Sequence, residues 1–307
     1  MKFRILILTL VVFSITTKNS FAQSGISPEG LEKLTVVEDS LGLLAYAIIN
    51  DSLEENRFGA VRAFIPMLVT ALKTPNSFHY PFEQIKSVSI QYAADSTFRV
   101  FTWQLYVDKD TYRYYGAIQM NQKDLKLFPL IDRYEGMKNE LEHVNLKHDE
   151  WYGAVYYNIK SVIVDDQNYH LLFGFDAHTF FKKRKVVDVL SFNDGQPQFG
   201  KAIFIKADTN NIVLSTKNRL LFEYTAATSI SCNFDETLDL LIFDHLREID
   251  NEFDEGKVNI PDGTYEAYEL KNGKWYYMEK VFHQVLDEAP RPKPILEGRK
   301  KNILGEG

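Results

Sequence analysis

The most suggestive polar pair in the sequence is Asp244-His245, which follows Ile242 and Phe243. A histidine oriented by a carboxylate can act as a general base or bind a metal ion. Neighbouring residues of a regular strand point to opposite faces, so both side chains reach one pocket only where the strand ends or becomes irregular. The alternative is a histidine whose ring is hydrogen-bonded by the backbone of a nearby loop.

Two further carboxylates extend this pair into a candidate hydrolase site. Glu223 and Asp262 each lie near the predicted end of a strand, and either could pair with Asp244. Glycosidases use two carboxyl groups about 5–10 Å apart. The catalytic candidates are therefore Asp244, His245, Glu223 and Asp262, provided that two of the acids converge in one cleft.

The sequence contains no complete motif for a metal or a cofactor. None of the seven histidines has metal-ligand spacing, and His143 and His148 lie in an acidic stretch without a second motif. The turns at Asp165-Asp166, Asp208-Thr209-Asn210 and Asp262-Gly263 each offer two or three oxygens, whereas Ca²⁺ takes six to eight. No nucleophile elbow, phosphate-binding loop or dinucleotide fingerprint is present. We predict no metal and no cofactor, and the lack of a catalytic motif leans against an enzyme.

Aromatic residues offer a second kind of site, because they make up 14% of the chain. Exposed rings could stack on sugar rings, and Arg99 and Arg113 could bind carboxylates beside them. The alternative is that the rings fill the core and make cross-strand pairs, which is their usual place in sheets. The ligand-binding candidates are Trp103, Arg113, Tyr114, Tyr268, Trp275 and Tyr277.

The N-terminus has the pattern of a signal peptide. Lys2 and Arg4 precede an apolar run, Ile5 to Ile15, and Ser20-Phe21-Ala22 is a small-x-small cleavage site. The run is too short for a membrane span, which needs about 20 apolar residues. We expect cleavage after Ala22, export to the periplasm or beyond, and no membrane span in the mature chain.

Composition narrows the class of protein and of partner. The 307 residues are 45% hydrophobic and 25% charged, which is typical of a globular protein. Removal of residues 1–22 deletes three basic residues and no acid, so the net charge falls from −7 to −10. Such an acidic chain is a poor candidate for nucleic acid. Cys232 is the only cysteine, so no internal disulfide forms, and we expect a small buried hydrophobe there.

Hydrophobic periodicity predicts helices followed by strands. Apolar residues recur every three or four positions from Glu29 to Thr74, with a break at Asn50-Asp51-Ser52 that we expect to cap a second helix. From Tyr80 onward the period is two. Thr97 to Met120 is typical of a β-hairpin, and Asn272-Gly273 predicts a second one with Lys271 opposite Lys274.

These elements predict an α+β fold. An N-terminal helical pair precedes a large antiparallel β-sheet system of about a dozen strands, arranged as a sandwich or a curled, partly closed barrel. The helices are expected to cover one face or one edge of it. The predicted boundaries are a signal peptide (1–22), a helical hairpin region (23–80), a β-rich domain (81–287) and a Pro/Lys-rich flexible tail (288–307).

The chain contains eight short segments in this order: EENRF (54–58), TWQL (102–105), YRYYGAIQM (112–120), VDVL (187–190), FGKAIF (199–204), FEY (222–224), FDHL (243–246) and PDGTY (261–265). Together they resemble a family of exported, uncharacterised proteins of Bacteroidota-type bacteria. The resemblance covers most of the mature chain. It implies export and one shared architecture, and it implies no activity.

Two functions remain open from the sequence. The first is a non-catalytic binding or envelope-associated module, with a glycan or an envelope protein as partner. It is suggested by export, many turns, abundant aromatic residues and the lack of a catalytic motif. The alternative is a secreted or periplasmic hydrolase that acts on glycans with paired carboxylates.

Overall fold

The computed structural model describes residues 25–108, 110–133, 141–164, 167–250, 256–279 and 281. The predicted signal peptide and the predicted C-terminal tail lie outside these residues. Within them, two helices precede a series of strands that form three sheets. The predicted α+β class is therefore confirmed.

The two helices, α1 (Pro28–Asn50) and α2 (Glu54–Leu72), confirm the predicted helical pair. The hydroxyl of Ser27 caps α1 by accepting a hydrogen bond from the Gly30 N–H at 3.1 Å. The predicted capping segment ends at Ser52, one residue before the observed N-cap of α2. That N-cap is Leu53, which makes no side-chain cap hydrogen bond. Asp51 instead accepts the Leu53 N–H at 2.9 Å and stabilises the turn before the helix.

Buried Arg57 connects the turn between the helices to the sheet beneath. Its guanidinium donates to the carbonyls of Asp51 and Ser52 and, across the layer, to those of Tyr106 and Val107 at 2.8 and 3.1 Å. One side chain therefore donates to four backbone carbonyls in two separate segments. No periodicity in the sequence predicts this contact.

The first sheet is antiparallel and has four strands in the order β1-β2-β3-β4. Their bounds are β1 (Ser89–Tyr92), β2 (Phe98–Asp108), β3 (Thr111–Met120) and β4 (Leu127–Ile131). The pairing of β2 with β3 confirms the predicted Thr97–Met120 hairpin. Pro129, which has no backbone donor, lies in the edge strand β4 as expected.

The second sheet has the order β5-β9-β8-β7-β6, and β12 pairs with the N-terminal half of β8. Its strands are β5 (Leu146–Lys147), β6 (Val155–Val164), β7 (Gln167–Asp176), β8 (Lys182–Asn193), β9 (Gln196–Phe199) and β12 (Leu220–Thr225).

The third sheet has the order β11-β10-β16-β15-β14-β13. Its strands are β10 (Phe204–Ala207), β11 (Val213–Lys217), β13 (Cys232–Asp235), β14 (Leu240–Asp250), β15 (Lys257–Lys271) and β16 (Lys274–Met278). One pairing departs from the predicted antiparallel system, because β10 and β16 run parallel.

The C-terminal hairpin has the predicted register. Lys271 lies opposite Lys274, Leu270 opposite Trp275 and Tyr268 opposite Tyr277. Asn272 and Gly273 have φ angles of 49° and 77°. Two consecutive positive φ angles define the type I′ turn, which matches the twist of the strands it joins.

Alternate residues of a strand pack against different layers. In β2, Phe101 and Trp103 face the helices, whereas Phe98 and Val100 face the second sheet. Strands β7 and β8 repeat this arrangement, with one set of residues against the first sheet and the alternate set against the third. The architecture is therefore a helical layer followed by three sheets, and the second sheet is covered on both faces.

A buried ion pair lies on the second sheet. Arg219 and Asp188 are both fully buried, and Nε of the arginine lies 3.1 Å from Oδ1 of the aspartate. The same guanidinium donates to the carbonyls of Leu141 and Val144, which holds that segment against the sheet. Burial raises the pKa of Asp188, although Arg219 acts in the opposite direction.

Removal of Arg219 should destabilise the fold strongly. In Arg219→Met, Asp188 stays buried without its cation, and unpairing a buried charge costs about 3–5 kcal/mol. We expect this loss in the free energy of unfolding from denaturant titration, with partial recovery in Arg219→Met/Asp188→Leu. The control Lys257→Met, which breaks the exposed pair with Glu248, should leave the midpoint unchanged. An equal effect of both single variants would contradict this account.

Candidate functional site

A cleft opens where the third sheet meets β12 of the second sheet, and it contains several of the predicted site residues. Its cavity volume is about 300 Å³. The floor is apolar, with Leu220, Phe222 and Tyr268, while polar side chains form the walls. The predicted residues that line it are Asp244, His245, Tyr268 and Tyr277.

An irregularity in the pairing of β14 with β15 positions His245. Asp244 pairs with Tyr265 and Leu246 with Pro261, so three residues of β15 (262–264) lie opposite the single residue His245 of β14. The bulge explains how two neighbouring residues, Asp244 and His245, both reach the cleft. The two side chains therefore reach one cleft within a strand, where its pairing is irregular, and not at a strand end.

Asp262, the first residue of the bulge in β15, orients the His245 ring. Oδ2 of Asp262 lies 2.8 Å from Nδ1 of His245. Oδ1 accepts hydrogen bonds from the Thr264 hydroxyl and N–H at 2.7 and 3.0 Å. These bonds, with a smaller contribution from His245, lower the pKa of Asp262 to about 2. The aspartate is therefore ionised over the whole physiological range.

A row of polar groups crosses the inner face of the third sheet beside His245. Nε2 of His245 lies 4.0 Å from Oε1 of Glu266, which accepts a hydrogen bond from the Tyr277 hydroxyl. Nζ of Lys206 lies 4.5 Å from the centre of the Tyr277 ring. Burial and Glu266 raise the pKa of Tyr277, so its hydroxyl remains protonated and donates. We call Lys206, Tyr277, Glu266 and His245 the polar row.

The other two predicted carboxylates have separate partners. Asp244 accepts the Ser231 N–H at 2.5 Å. Glu223 accepts two hydrogen bonds from Arg184, at 3.0 and 2.7 Å, and lies 3.0 Å from Lys182. Burial acts to raise the pKa of Glu223, but Arg184 and Lys182 outweigh it and lower the pKa. Neither Glu223 nor Asp262 has the raised pKa of a general acid.

Most of the predicted aromatic platform lies in the core. Trp103 is 4% exposed and packs between Phe64 and Tyr115, while Trp275 is 1% exposed. The Trp275 indole N–H donates to the Tyr169 hydroxyl at 3.0 Å. Tyr114 is also buried, and its hydroxyl donates to Asp176. The burial of these rings agrees with the alternative interpretation, in which aromatic residues fill the core.

The two candidate arginines differ in environment. Arg113 is exposed, and its guanidinium lies 5.6 Å from the centre of the Phe58 ring. Arg99 is fully buried and donates to Gln119, the Tyr92 hydroxyl and two carbonyls, so it does not hold a carboxylate. Burial lowers the pKa of Arg99 to about 10. Buried Cys232 has a thiol pKa raised to about 12, as expected for an unreactive residue.

A larger opening, the polar groove, lies where the first and second sheets meet. Its volume is about 770 Å³, within the usual range for ligand sites. Four amide side chains, two hydroxyls, one imidazole, one carboxylate and one ammonium line it. The polar side chains are Asn145, Asn168, Asn193, Gln198, Thr97, Ser191, Asp95, His170 and Lys201.

Sequence reasoning missed the polar groove. Asn168 lies near the start of β7 and Asn193 is the last residue of β8, and nothing in the sequence pattern brings these strand ends together. The pairing of β7 with β8 and the contact between the sheets place them in one groove with the turn before β2.

His170 forms the buried base of the polar groove at 3% exposure. Its Nδ1 lies 2.9 Å from the Ser161 hydroxyl, and its ring packs against Phe98. Burial lowers the pKa of His170, while the charge of Asp95 acts against this shift. Ser161, His170 and Asp95 have the residue types of a catalytic triad, but Ser161 is not among the residues that line the groove.

Comparison with known proteins adds no assignment. No family model matches the chain, and neither curated proteins nor solved structures give a significant match. Among the described residues there is no group of three or more His, Cys, Asp or Glu side chains able to hold a metal ion. No described helix is long and apolar enough to cross a membrane.

The lowered pKa of His170 predicts a loss of stability in acid. The folded state binds this proton less readily than the unfolded state, whose pKa is near 6.5. The contribution of neutral His170 to the free energy of unfolding should therefore be fully present above pH 6.5. It should decrease as the pH falls below that value.

Denaturant midpoints measured between pH 7.5 and 5 test this expectation. His170→Gln should reduce the dependence of the midpoint on pH, whereas His143→Gln, at an exposed histidine, should not. Identical pH profiles for His170→Gln and the unmodified chain would show that His170 does not contribute.

Proposed function

We propose that the protein is an exported, non-catalytic binding module whose polar groove holds a hydroxyl-rich ligand such as a glycan. The observation that carries the proposal is the set of four amide side chains around one cavity of about 770 Å³. Each amide has both donors and an acceptor, as does each sugar hydroxyl. The export part of the proposal rests on the N-terminal sequence pattern.

The charge of the lining supports a ligand without a strong net charge. Asp95 and Lys201 are the one carboxylate and the one ammonium that line the groove. Burial keeps the His170 imidazole neutral at neutral pH. The remaining polar side chains carry no charge, so uncharged hydroxyls match the groove better than phosphate or nucleic acid does.

The alternative, a glycan hydrolase with paired carboxylates, has less support. Asp244 accepts the Ser231 N–H, Glu223 is bound by Arg184 and Asp262 by His245, so each carboxylate is already held by its own partner. The one feature that favours catalysis is the 2.8 Å contact between His245 and Asp262, because a carboxylate that orients an imidazole is typical of a general base.

Glycan binding should depend on the groove amides. We expect at least one soluble oligosaccharide in a panel to bind the purified chain in isothermal titration calorimetry. Asn168→Ala and Asn193→Ala should each weaken it roughly 3- to 10-fold, the effect of losing one hydrogen bond of about 0.5–1.5 kcal/mol.

Asn210→Ala is the matched control, since this exposed asparagine lies in the turn between β10 and β11 and does not line the groove. Its affinity should equal that of the unmodified chain. Binding that is insensitive to both groove variants, or no binding across the panel, would refute the proposal. Release of shortened oligosaccharides on incubation would favour the hydrolase instead.

A further inference from the structure

We propose that the ligand of the polar groove is an N-acetylated amino sugar, whose acetamido group is bound at the base of the groove between His170 and Asp95. This inference rests on the proposed function, because it names the class of glycan that the same groove holds. Three features of the groove carry it: a hydrogen-bond donor, an acceptor and an apolar surface. An acetamido group has the complement of all three.

His170 supplies the donor. Its imidazole is 3% exposed and lines the groove, and Nδ1 lies 2.9 Å from the Ser161 hydroxyl. The Ser161 side chain makes no other hydrogen bond with a described residue, so we assign its proton to the bond with Nδ1. The proton of the neutral imidazole is then on Nε2. Nε2 is hydrogen-bonded to no described residue and is not closed off from solvent, so a group in the groove can reach it.

Asp95 supplies the acceptor, from the turn between β1 and β2. Its Oδ1 accepts the Thr97 hydroxyl and N–H at 2.7 and 3.0 Å, whereas Oδ2 has no donor in the part of the chain that the structure describes. Burial acts to raise the pKa of Asp95, but the hydrogen bonds from Thr97 outweigh it and lower the pKa. The ionised carboxylate accepts hydrogen bonds and donates none.

Met120 and Phe192 supply an apolar surface next to His170. Both line the groove and are partly buried. The ring of Phe98 joins this surface to the histidine, since its centre lies 4.7 Å from that of His170 and 5.3 Å from that of Phe192. Met120 is the cross-strand partner of Phe98, and such partners share one face of a sheet. The donor and the apolar surface therefore adjoin.

An acetamido group fits this arrangement better than a hydroxyl does. A hydroxyl could bond both His170 and Asp95, but it would leave the apolar surface uncovered. The acetamido carbonyl accepts from His170, its N–H donates to Asp95, and its methyl covers Met120 and Phe192. The group also extends further from the sugar ring, which a histidine at 3% exposure requires. The amide side chains of the groove remain for the ring hydroxyls.

The test compares two trisaccharides by isothermal titration calorimetry on the purified chain. Tri-N-acetylchitotriose and cellotriose have the same linkage and differ only at C2 of each sugar, which carries an acetamido group in the first and a hydroxyl in the second. We expect tri-N-acetylchitotriose to bind about tenfold or more tightly, because it gains the apolar contact of the methyl and a full set of hydrogen bonds, one of them to a charged group.

Two variants test whether this preference arises at His170 and Asp95. In His170→Phe and Asp95→Asn, the ratio of the two affinities should fall towards one, because the acetamido group loses a partner. Asn193→Ala should instead weaken both trisaccharides equally and leave the ratio unchanged. His143→Phe and Asp124→Asn, at exposed residues outside the groove, are matched controls and should leave both affinities unchanged.

Circular dichroism melts establish which variants are folded, and Asp95→Asn, in an exposed turn, decides the test if His170→Phe does not fold. Equal affinity for the two trisaccharides, or a preference that persists in the folded variants, overturns this inference and leaves the proposed function standing. Binding of another oligosaccharide of the panel in preference to tri-N-acetylchitotriose has the same meaning. No binding of any oligosaccharide overturns both.

Discussion

The burial of the second sheet on both faces is the constraint on which the rest of the structure depends. Its alternate residues pack against the first sheet on one side and the third on the other. A sheet in this position has no solvent face, so any polar side chain in its interior needs a protein partner. Asp188 meets this requirement through Arg219, and the same arginine secures the segment around Leu141.

The stacked layers also decide where ligands can enter. Side chains fill the space between neighbouring sheets, so openings occur where a pair of layers ends. The polar groove lies at such an end between the first and second sheets, and the cleft lies at one between the second and third. Strand alternation continues to the margins, where polar residues replace apolar ones on the same face. Lys206 follows buried Phe204 in this way, as Tyr277 follows Trp275.

Aromatic residues show why composition alone does not identify a binding surface. Trp103 and Trp275 have the same local pattern as an exposed stacking platform, since each stands among alternating aromatic residues of a hairpin. Whether a ring is covered depends on the layer opposite it. The helices cover Trp103, and the second sheet covers Trp275, so neither ring is available to a sugar. Tyr277, two residues further along its strand than Trp275, is only partly buried against the same cluster.

The sequence by itself determined the local elements: the helical pair, the two hairpins, the edge position of Pro129 and the register across Asn272-Gly273. Periodicity and turn chemistry act over a few residues, so they are readable in one chain. Only the tertiary structure decided that His245 of β14 meets Asp262 in the bulge of β15 and that Asn168 and Asn193 share a groove. These contacts depend on register shifts and on the stacking of distant strands, which leave no periodic signal in the sequence.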